Sequence, residues 1–244
     1  MEKEFLETLK ESFKIYLSTG PRSNEKLKVI HGKIAKDVAF LLNDFNQNNP
    51  NKEREIYKIS SLGYSDNREE KIQGRYMDKM VDITISKNGN PVAGIGVKYV
   101  MSNYKQNSNN YFENMLGETA NIRSNNIPYF QIIIFLEEIP YYLNNGEIYK
   151  WEKIDYHNIE KYIRLSKDNT KIFLHTPDKT LICLINYPVN NGLLDREEYN
   201  KYYLDNFKNY DFNYVHKNWD FNESVIFNDY SLFLKKLIHN ILSQ

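Results

Sequence analysis

Asp82 and Lys98 stand sixteen residues apart, one on each side of an Asn88-Gly89 pair, and Glu113 and Glu118 follow fifteen and twenty residues after the lysine. These types suit metal-assisted hydrolysis of a phosphoester. Magnesium takes hard oxygen ligands, usually one or two carboxylates completed by phosphate and water. Bound there, it polarises the phosphate and helps to generate hydroxide. A neighbouring ammonium can orient or deprotonate the water and offset charge on the phosphate. Each residue also has an ordinary reading. Aspartate is disfavoured in strands, lysine is common on strand edges, and glutamates flank most surface helices. Only their convergence lifts them above it.

Convergence depends on register. Val81, Ile83 and Ile85 alternate with Asp82, Thr84 and Ser86, and Ala93, Ile95 and Val97 alternate with Gly94, Gly96 and Lys98. Period-two alternation marks half-buried strands, and Asn-Gly marks a hairpin turn. A two-residue loop would set Asp82 against Ile95. An odd-length loop, such as a three-residue turn with a glycine bulge, pairs even with even. Burial favours the odd loop, which places all six apolar residues on the core face and Asp82 with Lys98 on an exposed one.

A polar, Asn-rich connection is expected over residues 102–110, and a helix over 110–123. The helix buries Tyr111, Phe112, Met115, Leu116, Thr119 and Ile122 and turns Asn110, Asn114, Gly117 and Asn121 away. Glu113 and Glu118 lie on its two flanks, about 140° apart. The run YFQIIIFL at 129–136 reads as a strand buried on both faces. Hairpin, helix and buried strand in succession predict an α/β or mixed architecture.

In this order the residues resemble the PD-(D/E)xK nuclease superfamily, specifically a type II restriction endonuclease. The resemblance rests on Lys79-Met80-Val81-Asp82-Ile83, on Gly96-Val97-Lys98 and on the helix that follows, and it covers roughly residues 25–137. It implies a central mixed β-sheet flanked by helices, in the order helix, three strands, helix, strand. Residues 138–244 would add strands and helices to the same domain, for DNA recognition or dimerisation. It further implies Mg2+, double-stranded DNA, a homodimer, and products with 5′-phosphate and 3′-hydroxyl ends. Asp82, the Val97 carbonyl and a helical glutamate, Glu113 or Glu118, would hold the metal, and Lys98 would act on the water. One departure stands out: the acid usually found two residues before the lysine is Gly96. Some enzymes of this family carry it on the following helix, at a spacing near that of Glu113, with Glu118 the second candidate. If neither reaches the metal, the chain is an inactive DNA binder on the same fold. A repair or defence nuclease is the third reading.

DNA-contact candidates are Lys105, Gln106, Asn107 and Asn110 on the polar connection. Arg22 and Lys26 join them from the basic start of a helix expected over residues 23–45. A first helix is expected over 2–17, a loop over 46–51, a helix or strand over 52–64 and a loop over 65–73. Farther on, a turn is expected at Asn144-Asn145-Gly146, helices over 155–165 and 232–242, and strands over 171–175 and 180–187. The Tyr- and Asn-rich stretch 199–222 either stacks on bases or packs internally.

Composition narrows the class. A hydrophobic fraction of 41% permits a real core and argues against disorder. The formal net charge of zero leaves any phosphate binding to local patches. The single cysteine, Cys183, excludes an internal disulfide and suits a reducing cytoplasm. No leader or membrane-spanning run is apparent, so a soluble intracellular protein is expected. The five histidines, His31, His157, His175, His216 and His239, show no ligand spacing, which argues against a zinc site.

Overall fold

The computed structural model describes residues 1–48 and 56–243. Asn88 and Gly89 take positive φ, 51° and 84°, as a two-residue loop matched to the twist of a hairpin requires. They join β4 (Ile83–Lys87) to β5 (Asn90–Val100). The loop is therefore even-numbered, contrary to expectation. Parity is restored one step later. Lys87 pairs with Asn90 and Ser86 with Pro91, but Ile85 pairs with Ala93, so Val92 is an extra residue. This bulge brings Ile83 opposite Ile95 and unites the two apolar sets. The turn follows strand twist and the bulge follows burial, so both local demands are met.

β1 (Tyr57–Ser61) lies antiparallel to β4 on its other side. β6 (Tyr129–Leu136) runs parallel to β5, and β9 (Lys179–Asn186) parallel to β6. β10 (Asn213–Tyr214) and β11 (Val225–Phe227) both pair with β9, antiparallel and parallel respectively. The result is an α/β fold with a mixed central sheet flanked by helices, as expected. All eight residues of β6 are buried, which is why its sequence is apolar throughout.

The two faces of β6 show how the helices divide. Phe130 meets Phe233 of α6 (Tyr230–Leu242) edge-on, and Tyr230 stacks on Phe5 of α1 (Glu2–Thr19). On the other face, Phe135 packs against Tyr104 of α3 (Tyr104–Arg123) and Tyr162 of α4 (Tyr156–Ser166). The sheet face expected to be exposed is thus roofed by α3.

Several elements depart from the sequence reading, each through a tertiary contact. The connection expected at 102–110 is helical from Tyr104 onward. Asn103, at φ 50°, exchanges side-chain hydrogen bonds with the main chain of Tyr142, and Tyr104 is fully buried. This anchoring overrides the poor helix propensity of the Asn-rich run. Asn121, expected on the outer side of the helix, is buried. The loop expected at 65–73 contains β2 (Glu70–Gln73), which pairs with β3 (Asp78–Val81) in a separate ribbon. Ile72 and Val81 build a small core there with Ile122 and Tyr129.

Residues 171–175 form turns, not a strand. Their carbonyls and those nearby are gathered by Arg123, whose guanidinium donates to Thr170, Phe173 and Thr176. In the 199–222 stretch, Tyr199 and Tyr203 are fully buried against each other and Phe13, so these two rings pack internally. Of the loop expected at 46–51, residues 46–48 belong to α2 (Glu25–Asn48), and 49–51 lie outside the described residues. So do 52–55 of the segment read as helix or strand, whose remainder holds β1. Among the described residues, no helix is long and apolar enough to cross a membrane.

Candidate active site

Asp82 occupies the bend where β3 leaves to pair with β2 and β4 begins. The register of β4 with β5 ends at Ile83 and Ile95, and β5 runs on. The N–H of Val97, beyond that end, donates to Asp82 Oδ2 at 2.6 Å. This is the reason for an aspartate at a position that strand propensity disfavours: its carboxylate takes the place of a missing ladder partner. An extended residue projects its N–H and C=O to the same side, so the Val97 carbonyl also faces the Asp82 edge.

Asp82, Lys98 and Glu118 line one cavity of about 170 Å³, together with Gly96, Tyr111, Tyr129 and Gln131. Burial pushes the Asp82 carboxyl up to about 6, and the charge of Glu118 adds to this; the Val97 N–H and the charges of Lys79 and Lys98 oppose it. Burial lowers the pKa of Lys98, opposed by Asp82. The Lys98 ammonium stands 4.0 Å from the centroid of the Tyr111 ring, a cation–π contact.

Glu118 is held from two sides. The Tyr129 hydroxyl donates to Oε1 at 2.7 Å, and Lys79 Nζ lies 3.2 Å from Oε2. The helix that carries it is pinned along its length. Asn121 clamps the tip of the β2–β3 ribbon, accepting from the N–H groups of Tyr76 and Met77 and donating to the Met77 carbonyl. Arg123 pairs with Asp178 at 2.9 Å. The ribbon leading into Asp82 and the helix bearing Glu118 are therefore one braced unit.

Gly96 explains itself in this setting. A Cβ there would lie 2.5 Å from the Tyr129 hydroxyl and 2.7 Å from Gln131 Oε1. The place that an acid at this position would need is filled by groups from β6, and the carboxylate arrives from α3.

The other residues singled out from sequence divide clearly. Glu113 is exposed and does not line the cavity; its charge acts on Lys161 of α4. Of the two glutamates, the fold brings Glu118 to Asp82. Glu118→Gln should lower the pKa of Asp82, since the charge of Glu118 helps to raise it, whereas Glu113→Gln should leave it unmoved. A parallel shift in both variants, read by NMR titration of the Asp82 carboxyl, would contradict this assignment.

Lys105, Gln106 and Asn110 are exposed on the first turns of α3, outside the cavity lining. Asn107 is half-buried and donates to the Asn103 carbonyl. Arg22 is exposed. Lys26 is not a free phosphate ligand, because its buried ammonium donates to the carbonyls of Pro21 and Ser23 at 2.7 Å each.

Sequence reasoning passed over two residues beside Asp82. His31 of α2, Glu69 just before β2, and Asp82 each place one potential ligand atom within 4.8 Å of the others. His31 is fully buried, and burial pulls it down to about 4. Glu69 is half-buried and raised, by burial first and then by the charge of Asp82. No spacing signal marks this trio, because its members come from three separate elements. The position of His31 is set by its neighbour Gly32: a Cβ there would overlap the Gly63 carbonyl, so helix and loop touch backbone to backbone.

No family model matches the chain, and neither a curated protein nor a solved structure does.

Proposed function

We propose that this chain is a divalent-metal-dependent phosphodiester hydrolase acting on double-stranded DNA, of the type II restriction endonuclease kind. One observation carries the reading: Asp82, Lys98 and Glu118, from a strand bend, a strand and a helix, converge on one cavity. Two carboxylates and the Val97 carbonyl make an all-oxygen donor set, which fits Mg2+. When bound, Mg2+ would supply Lewis-acid polarisation of the phosphate and a more acidic water.

The chain's own groups would do the rest. Tyr129 and Lys79 fix the Glu118 carboxylate, so little reorganisation is needed on binding. Lys98, whose pKa burial lowers, is suited to orient the attacking water or exchange a proton with it. Lys71 and Arg75, exposed on the β2–β3 ribbon that leads into Asp82, offer further phosphate contacts. Hydrolysis would leave 5′-phosphate and 3′-hydroxyl ends. A homodimer would present two such cavities to the two strands of a palindromic site. We place the activity in the cytoplasm, where a lone buried thiol such as Cys183 stays reduced.

The test is digestion of a defined double-stranded DNA with and without Mg2+. Discrete fragments in the presence of the metal are expected. Lys98→Met should slow their appearance by about 10²–10⁴-fold while DNA binding in a filter assay persists. Binding without any cutting would instead favour an inactive DNA-binding protein, and non-discrete degradation a repair or defence nuclease.

A further inference from the structure

We propose that His31, Glu69 and Asp82 form a second cation site that takes a first-row transition dication, Mn2+ in preference to Mg2+. The proposal goes beyond the hydrolase reading and stands whether or not the neighbouring cavity cuts DNA. Two observations carry it independently. The first is geometric: one ligand atom from each residue lies within 4.8 Å of the other two. Around an octahedral ion with bonds of about 2.1 Å, opposite ligands stand about 4.2 Å apart and adjacent ones about 3.0 Å. The trio is therefore loosely gathered, and the side chains would draw inward around an ion.

The second observation is an unanswered side chain. His31 is fully buried, yet neither ring nitrogen has a hydrogen-bond partner among the described residues. Buried polar groups are normally satisfied, and an orphan calls for an explanation such as an ion. Its partners across the gap are two carboxylates whose like charges oppose each other. A dication answers the acceptor nitrogen, whose lone pair it takes, and neutralises the paired acids. An imidazole ligand also decides which dication is favoured. Magnesium strongly prefers oxygen, whereas imidazole with carboxylates suits the first-row transition series. Asp82 would then be shared with the oxygen-lined cavity on its other side, so that two ions of different preference could meet at one carboxylate.

The experiment measures Mn2+ binding, with no DNA present. Metal-stripped protein is titrated with Mn2+ in excess Mg2+, and the bound ion is examined by pulsed electron paramagnetic resonance for coupling to a directly bonded nitrogen. The wild type should retain one Mn2+ against Mg2+ and show imidazole nitrogen coupling. His31→Gln should lose that coupling and weaken binding by about tenfold or more. Glu69→Gln should weaken binding while the coupling persists in whatever Mn2+ remains bound. Glu113→Gln, outside both the cavity and the trio, should leave both readings unchanged. Absence of nitrogen coupling in the wild type, or of any Mn2+ retained against Mg2+, overturns the proposal even if His31→Gln does not fold. A nitrogen-coupled Mn2+ in a protein that cuts no DNA upholds this site and defeats the hydrolase reading. DNA cleavage without such a signal does the reverse.

Discussion

Asp82→Asn is expected to melt several degrees above the wild type at pH 8 in chelator, and to lose hydrolysis in the same protein. The two effects share one cause. Burial holds the Asp82 carboxyl at about 6 against an ordinary value of 3.8. A group whose folded pKa exceeds its unfolded pKa binds its proton more tightly in the folded state. Its contribution to stability is then complete below pH 3.8 and is lost as pH rises through about 6. At pH 8 the ionised carboxylate costs on the order of 3 kcal/mol relative to a group that does not titrate.

Asparagine keeps an oxygen that can accept the Val97 N–H but carries no charge, so most of that cost disappears. At about 2–4 °C per kcal/mol for a chain of this size, the gap is readily seen in thermal melts. Below pH 4 the two proteins should melt together. Divalent metal should raise the wild type and leave the variant unmoved, because only the wild type binds it well. Hydrolysis should fall by about 10³-fold or more, since several kcal/mol of metal-derived stabilisation go with the ligand. Parallel melting curves for the two proteins from pH 4 to pH 8 would count against the buried, charged Asp82 described above.

The second large effect concerns Gly96. Placing an acid two residues before Lys98, by Gly96→Glu, should abolish the proposed hydrolysis and destabilise the fold. Even Gly96→Ala places its Cβ 2.5 Å from the Tyr129 hydroxyl. That ring is fully buried, and its oxygen is tied to Glu118, so it cannot step aside cheaply. Overpacking of this kind costs about 1–3 kcal/mol. Tyr129→Phe in the same chain removes the nearer of the two clashing oxygens and leaves Gln131 Oε1 at 2.7 Å, so relief is partial. The double variant Gly96→Ala/Tyr129→Phe should therefore recover melting temperature relative to Gly96→Ala, yet remain impaired in hydrolysis because Glu118 has lost a donor. A double-mutant cycle on melting temperature reads this coupling directly. Additive effects would show that Gly96 and Tyr129 do not compete for the same space.

Both results turn on residues whose neighbours are distant in the chain, and this separates what could be read from the amino acids alone. The alternation around Asn88-Gly89 predicted that Asp82 and Lys98 share a face, and they line one cavity. The inference worked because burying Ile83, Ile85, Ala93, Ile95 and Val97 on one side leaves only one parity for the rest; Val81, the sixth residue expected there, packs instead in the small core of the ribbon. The device escaped it: the odd residue is a bulge at Val92, not a longer turn. Spacing favoured Glu113, and the fold chose Glu118. The reason lies in α3, which starts at Tyr104 and is rotated by its clamps at Asn103, Asn121 and Arg123. Helical phase alone placed the two glutamates on opposite flanks without saying which flank meets the strand bend.

Local pattern thus determined the α/β class, the buried β6 strand and the pairing of acid with amine, because periodicity and apolar burial act over neighbouring residues. Tertiary structure decided the rest. Gly96 is empty because β6 fills its space, Glu118 is reached through a tyrosine from that strand, and His31 meets Glu69 and Asp82 only when α2 and the loop bearing Gly63 touch backbone to backbone. Those are contacts between segments far apart in the chain, and nothing in the spacing of residues along it encodes the distance across it.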